Sequence, residues 1–466
     1  MDGAGFATMR APGRTPNPIR DKGLADCTDR CGQAARKHTL CDMPGLGDLP
    51  RDQLLPVVLE YMMVGHLIDR ALMPQVAVRA GVDAVDDVAI DEWLGASPTY
   101  TARMRRLMGI EGDGVGAIMK GLQLDVGFVH QYMGVSYELT DEQHGAFWLD
   151  HCGALMDVEP HGEARVVGMC HHIEDPTFDG TALATNPRAR IRPIHRPPRV
   201  PSDREPHCHW TITIDPQNEP IGPAPHTLRV ADLPLASVPN ERPPDAEPGG
   251  KQDYRGPFDR NFRLADLSHG TLVAVAHEFQ EQVHLLTSSA ELSLADRLDQ
   301  GTAREIMASQ WVGASWVASE RLADALRLKS GGVDALATVV ALHPALPPGF
   351  ERTVDVDVDA GRVRLEMTPL AGGLLDPANP GWLGLLARGE RGGIEAMAHA
   401  VDRRAQLADM AVSDASVVFE LAVDDSAEPA PEPPELAFMR LSGTSSWVFD
   451  ATAGTTTVAL GQKPRA

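Results

Sequence analysis

Trp93-Leu94-Gly95-Ala96-Ser97 returns as Trp311-Val312-Gly313-Ala314-Ser315, 218 residues further along the chain. The same offset carries Glu60-Tyr61 and His66-Leu67-Ile68 onto Glu278-Phe279 and His284-Leu285-Leu286, and Gly114-Val115 onto Gly332-Val333. At an offset of 219, Gly153-Ala154-Leu155-Met156-Asp157 matches Gly372-Gly373-Leu374-Leu375-Asp376. So steady an offset marks an internal duplication. The two copies are expected to share a fold and to pack as a pseudo-dimer, because duplication joins in one chain what symmetry pairs in two. Their chemistry differs. His130, His144, His151, His161, His171, His172, His195, His207 and His209 lie in the first copy, as do Cys152, Cys170 and Cys208. Leu370 and Ala371 stand where the first copy has His151 and Cys152.

The 466 residues are enough for two or three cores, and 43% hydrophobic with 23% charged content is that of an ordinary globular protein. A net charge of -23 argues against nucleic acid and anionic membranes as partners. No apolar run approaches the roughly 20 residues of a spanning helix, and the N-terminus lacks a signal-peptide core. Six cysteines, several beside histidine, suit reduced thiols in a cytoplasm better than a disulfide framework. A small molecule is the expected partner, with homodimer formation left open.

Residues 1–46, rich in Gly, Pro and Arg, predict an irregular arm. Within it Cys27, Cys31, His38 and Cys41 are the ligand types of a small zinc site, against the alternative of exposed thiols. The first repeat takes 47–236 and the second 259–425. Between them 237–258 is Pro-, Glu- and Gly-rich, a linker by composition. Leu54 to Leu72 predicts a buried helix and Asp86 to Met108 one or two more. Strands are expected from Tyr137, at Ala164 to Cys170, and at Trp210 to Ile214, where Trp210, Ile212 and Ile214 alternate with threonines. The second repeat follows with helices from His269 to Leu328 and strands at Arg352 to Met367 and Ser416 to Val423. In the tail, 426–466, Trp447-Val448-Phe449 and Thr455 to Leu460 suggest a hairpin. Each repeat is thus α+β, a helical half followed by a small antiparallel sheet.

Cys170-His171-His172 and His207-Cys208-His209 are the densest chemical signal. On neighbouring strands, Cys170 and His172 would face one way and His207 and His209 would join them. That set suits a divalent metal, zinc first and iron or copper as alternatives, against a metal-free polar cleft. Glu174 and Asp175 follow the first triplet and offer a ligand, an orienting partner or a general base, against solvated turn acids. Cys152 and Cys208 are candidate thiol nucleophiles, against small buried cysteines. Arg190, Arg192, His195 and Arg196 could clamp an anionic substrate group, or the arginines could pair with the protein's own carboxylates. In the second repeat His277, Glu281 and His284 share one helix face and include an E-x-x-H sequence. No matching second copy supports a di-iron centre. Glu60/Glu278 and His66/His284 persist in both copies, which favours structural contacts near the pseudo-twofold axis.

Cys152, then Cys170 with Asp175 after it, then Cys208 followed by Trp210 resemble the pattern of the L-2-amino-thiazoline-4-carboxylic acid hydrolase-like family over residues 54–215. The chain departs from that family in its many histidines, its Arg/Pro stretch and its second copy. The resemblance implies hydrolytic C–N cleavage of a small cyclic carboxylated molecule. The resulting expectation is a metal-dependent hydrolase with one active centre, in the first repeat. The alternatives are an iron or copper redox enzyme at the same cluster and a non-catalytic metal- or ligand-binding protein.

Overall fold

The computed structural model describes residues 45–329 and 331–450. The Cys27, Cys31, His38 and Cys41 group and the Thr455 to Leu460 half of the expected hairpin lie outside them.

The first half opens with α1 (Arg51–Arg79), α2 (Ala84–Leu107) and α3 (Val115–Leu122). A hairpin of β1 (Met133–Leu139) and β2 (His144–Cys152) follows. The chain then leaves the sheet through α4 (Gly153–Val158) and a helical run made of α5 (Glu163–Val167), a π-helical turn (Gly168–Ile173) and α6 (Glu174–Leu183). It returns as β3 (Ala189–His195) and β4 (Cys208–Ile214), and α7 (Pro225–Ala231) ends the half. The second half repeats the plan with α8 (His269–Arg297), α9 (Gln300–Ala325), α10 (Val333–Ala341), β5 (Phe350–Asp357), β6 (Arg362–Pro369), α11 (Gly381–Ala387), α12 (Gly392–Val401), β7 (Ala405–Val412) and β8 (Val417–Val423). Both sheets are four-stranded and antiparallel, in the orders β1-β2-β4-β3 and β5-β6-β8-β7. The α+β duplication is therefore present, down to α1 and α8, which are both 29 residues long and start 218 residues apart. The sheet is not a single block after the helices, since helices divide each one into two hairpins.

One strand expectation is overturned. Ala164 to Cys170 is helical. Val166 and Val167 suggested a strand, but the run opens on Glu163, favourable at a helix N-terminus, and Val166 faces the core. Pro176 does not end a ladder; it sits in the first turn of α6, where the chain passes from π to α geometry. The tail differs too. Trp447 to Phe449 form no strand; they follow two short helices, α13 (Leu436–Met439) and α14 (Gly443–Ser446). Residues 237–258 are irregular but docked. Tyr254 is buried, stacks on Phe262 at 4.6 Å, and donates from its hydroxyl to Gln123 Oε1 at 2.8 Å.

α1 and α8 are buried around most of their circumference, which places them at the centre of the fold. There α1 packs on α9, α2 on α8, and α1 on α8. Each half thus packs its first two helices mainly on those of the other half. The contacts are reciprocal, as at a twofold interface. Arg103 of α2 pairs with Glu278 of α8 through Nη2 at 2.8 Å, and Arg321 of α9 pairs with Glu60 of α1 through Nε at 2.6 Å. The two pairs are copies under the 218-residue offset. Nη1 of Arg103 donates to the carbonyls of Ala236 and Val238, and Nη1 of Arg321 to those of Thr444 and Trp447. Each pair therefore also anchors the segment that follows a sheet. Gly95 permits the closest approach, since a Cβ there would lie 2.1 Å from Ser289 Oγ. Its copy Gly313 faces Ala71, the counterpart of Ser289. The persistent histidines are structural as expected: His66 Nε2 bonds the Gly127 carbonyl and His284 Nε2 that of Pro344, each at 3.1 Å.

Removing one partner of a buried ion pair strands the other, at about 3–5 kcal/mol. Glu278→Leu should therefore lower stability by that amount in chemical denaturation. The combined Glu278→Leu and Arg103→Met should lose less than the single change. Equal losses would show that the pair contributes nothing beyond packing. Trp311 is fully buried, so Trp311→Ala should cost about 3–5 kcal/mol, and Trp93→Ala less because its indole borders a cavity.

Candidate functional site

The Trp93 side chain looks into a cavity of about 420 Å³ in the first half, walled by α1, α2, β2, the π-turn–α6 run and the tail. Its walls are mostly apolar, with Met73, Val85, Phe128, Leu149 and Met169 among them. Set into these walls are Asp69 of α1, Asp125 and Glu174 of α6, together with two ion-paired groups, Asp157 with Arg70 and Arg165 with Asp86. Glu92 of α2 is fully buried beside Asp69.

Burial raises all four carboxyls, because a low-dielectric site disfavours the charged form. Asp125 is pushed up to about 6, even though its carboxylate accepts from the Gly127 amide and the Tyr100 hydroxyl. Asp69 and Glu92 face each other. Burial lifts both, and the neighbouring Asp69 charge lifts Glu92 further. Neither Glu92 oxygen meets an N–H or O–H of the protein, which leaves nothing to offset the cost of its charge. Glu174 is pushed up to about 8, mainly by burial, with the Arg196 guanidinium opposing the rise. One of its oxygens, Oε2, is buried without a hydrogen-bond partner.

Cys152, Cys170 and Cys208 gather around Glu174. The π-turn brings Cys170 four residues ahead of Glu174 in one helical run, Cys208 starts β4, and Cys152 ends β2. All three thiols are free and buried. Burial and then the Glu174 charge push them up, Cys152 to about 12. They are therefore thiols at neutral pH, and the roles proposed for Cys152 and Cys208 as nucleophiles have no thiolate behind them. Cys152 instead caps α4, its sulfur accepting from the Leu155 amide at 3.3 Å.

The chelate expected from Cys170, His172, His207 and His209 is not assembled. Its premise was two facing strands, and Cys170 and His172 are helical. The His172 ring is exposed and bonds Asp86 at 3.0 Å. His207 lies near the His151 ring, while His209 packs between Trp148 and His195. Among the described residues no group of three or more His, Cys, Asp or Glu is placed to hold a metal ion. As placed, these residues do not fit a metal ion.

The arginine row takes the alternative open to it. Arg192 makes two 2.9 Å bonds to Asp179, Arg196 pairs with Asp175, and Arg199 makes two 2.9 Å bonds to Glu159. Arg190 is engaged by the carbonyls of Ala189 and Glu219. Asp175 is thus an ion-pair partner rather than a base. His195 sits on β3, and neither it nor any of these arginines borders the cavity.

The second half lacks the acids. At the 218-residue offset Asp69 becomes Thr287, Glu92 becomes Gln310 and Asp125 becomes His343, while Trp93 is kept as Trp311. The room is taken as well. Trp382 of α11 donates to Gln310 Oε1 at 3.0 Å and packs against His284 at 5.4 Å. His277 and Glu281 border a different cavity, of about 440 Å³, with Arg103, Asn240 and Arg352. They do not reach the acid cavity.

Comparison with protein-family models, with curated proteins and with solved structures found no match to this chain.

The raised Glu174 fixes a pH dependence. Its folded pKa of about 8 lies above its ordinary 4.5, so the folded form binds the extra proton between those values. Its contribution is complete below about pH 4.5 and is lost as pH rises through about 8. Glu174→Gln should therefore gain stability over wild type at pH 8.5 relative to pH 5 in denaturant titrations. Parallel pH profiles for the two proteins would contradict the raised value.

Proposed function

We propose that the first half is a hydrolase that breaks a C–N bond of a small, mainly apolar, nitrogen-containing molecule by general acid–base catalysis. The reading is carried by one observation: three raised carboxyls border a mainly apolar cavity with a fourth, Glu92, buried behind Asp69, and the three with counterparts in the duplicated scaffold are neutral there. Acids are costly to bury, and perturbed pairs of this kind are typical of catalytic sites.

Glu174, protonated at neutral pH, is the general acid. Asp69, which lies beside the buried Glu92 and borders the cavity, is the general base. Water attacks the carbon of the C–N bond and passes a proton to Asp69. As that bond breaks, the nitrogen takes the proton of Glu174. Proton exchange with solvent restores both groups. Asp125 holds its position through Tyr100 and Gly127 and adds negative potential that favours a protonating nitrogen. The resemblance to the thiazoline-carboxylate hydrolases supports the reaction class. Because the arginine row is paired internally, the site favours the nitrogen of such a molecule over an anionic group.

The test is hydrolysis of a panel of cyclic amidines, lactams and 2-amino-thiazoline-4-carboxylate, followed by product amine or thiol. Asp69→Asn and Glu174→Gln should each lower kcat by about 10²–10⁴ on any member that turns over. If neither variant changes kcat, the acid–base roles fall. If His207→Ala with His209→Ala removes both activity and bound metal, the metal-dependent alternative replaces this one. Saturable binding of panel members without turnover would leave a binding protein.

A further inference from the structure

The cavity has a direction. α1 and α2 are joined by a short turn and run in opposite senses beside it. Along α1 its lining passes from Asp69 to Met73, Ala77 and Val78, one helical face. Along α2 it passes from Trp93 back to Ala89, Val85 and, in the turn, Val82. The unpaired acid Asp69 therefore stands at one end of this face and valines at the other, while the further lining charges are ion-paired, Asp157 to Arg70 and Arg165 to Asp86. At 1.5 Å per helical residue, Asp69 and Val78 are about 13 Å apart along the axis.

The apolar end is open. Val78 is 74% exposed and Val82 60%, and across from them the tail contributes Phe438 and Leu441, 49% and 79% exposed. Of the eleven large hydrophobic side chains exposed among the described residues, these four share the one mouth. Singly scattered apolar side chains need no explanation, whereas a cluster continuous with a buried apolar channel does. The tail is held there firmly: Asp157 accepts from Ser442, the Gly443 amide and the Thr444 hydroxyl, and also binds Arg70 at 2.9 Å. The rim is thus a fixed part of the site.

We propose that the substrate is an amphiphile, with a nitrogen-bearing head that meets Asp69 and Glu174 and an aliphatic body that follows α1 and α2 to the rim at Val78, Val82, Phe438 and Leu441. The head assignment rests on the acid–base reading above; the tail rests on the lining alone. At roughly 1.2 Å per bond of an extended chain, about ten carbons span the channel.

The test is calorimetric titration of the whole protein with n-alkylamines from hexylamine to tetradecylamine. Affinity should rise about fourfold per added methylene, the gain of burying one CH₂, and level off near ten carbons. Asp69→Asn should weaken every member by a similar factor. Val78→Asp with Leu441→Asp, at exposed positions that leave the core untouched, should weaken decylamine at least tenfold and hexylamine little. Affinity independent of chain length overturns the proposal. So does a chain-length gain that survives the rim variant unchanged. Wild-type self-association that the rim variant abolishes, without any chain-length gain, also overturns it, because the rim is then a surface between copies. A full chain-length gain with no turnover on the hydrolysis panel upholds the amphiphile site and removes only the hydrolase reading.

Discussion

Two buried arginine–glutamate pairs, Arg103–Glu278 and Arg321–Glu60, are the constraint on which the rest of the molecule depends. Each joins the second helix of one half to the first helix of the other, and each arginine also fixes the chain that leaves a sheet. A buried charge is costly to leave without its partner, so the pairs favour one register of the central helices. The buried girth of α1 and α8 supplies the driving force but little specificity, since such helices can slide or rotate. Gly95 against Ser289 adds a steric stop at the same crossing. Neither half has a complete core of its own, which explains why a half without acids has been retained as a scaffold.

Duplication frees one copy of a site from the duty of carrying it. Here the scaffold features survive twice and the acids survive once. Asp69, Glu92 and Asp125 keep an open cavity, while Thr287, Gln310 and His343 line space that Trp382 enters. The physical logic is direct. A raised carboxyl is a cost to folding at neutral pH, and a filled, neutral site avoids it. The first half bears that cost where the channel opens to solvent. It is offset by an interface that the neutral half strengthens.

The duplication, the α+β class and the roles of the Glu60/Glu278 and His66/His284 positions were legible in the sequence, because they depend on offset and periodicity. The strands around Trp210 and Val417 were legible from alternation. The helical run 163–183 was not. Val166 and Val167 favour a strand, and the packing of the π-turn and α6 that continue their run against α2 overrides that preference. The chelate followed from that error. Histidine and cysteine density drew attention to residues that prove to be surface partners or buried thiols. Of the cavity's acids only Glu174 stands beside a motif; Asp69 is one charge in an apolar helix and Asp125 one charge in a loop. The available signal was the comparison of the two copies position by position for loss of charge. Applied to Asp69, Glu92 and Asp125, it marks the cavity without any structure.

The central claim is that burial lifts the carboxyls around the first half's cavity well above their ordinary range. Carboxyl-carbon NMR titration of protein labelled at Asp and Glu measures this directly. The account predicts two carboxyls titrating near pH 6, one removed by Asp69→Asn and the other by Asp125→Asn, and one near pH 8 that Glu174→Gln removes. Carboxyl signals that all titrate below about pH 5, the range of unperturbed Asp and Glu, would contradict it.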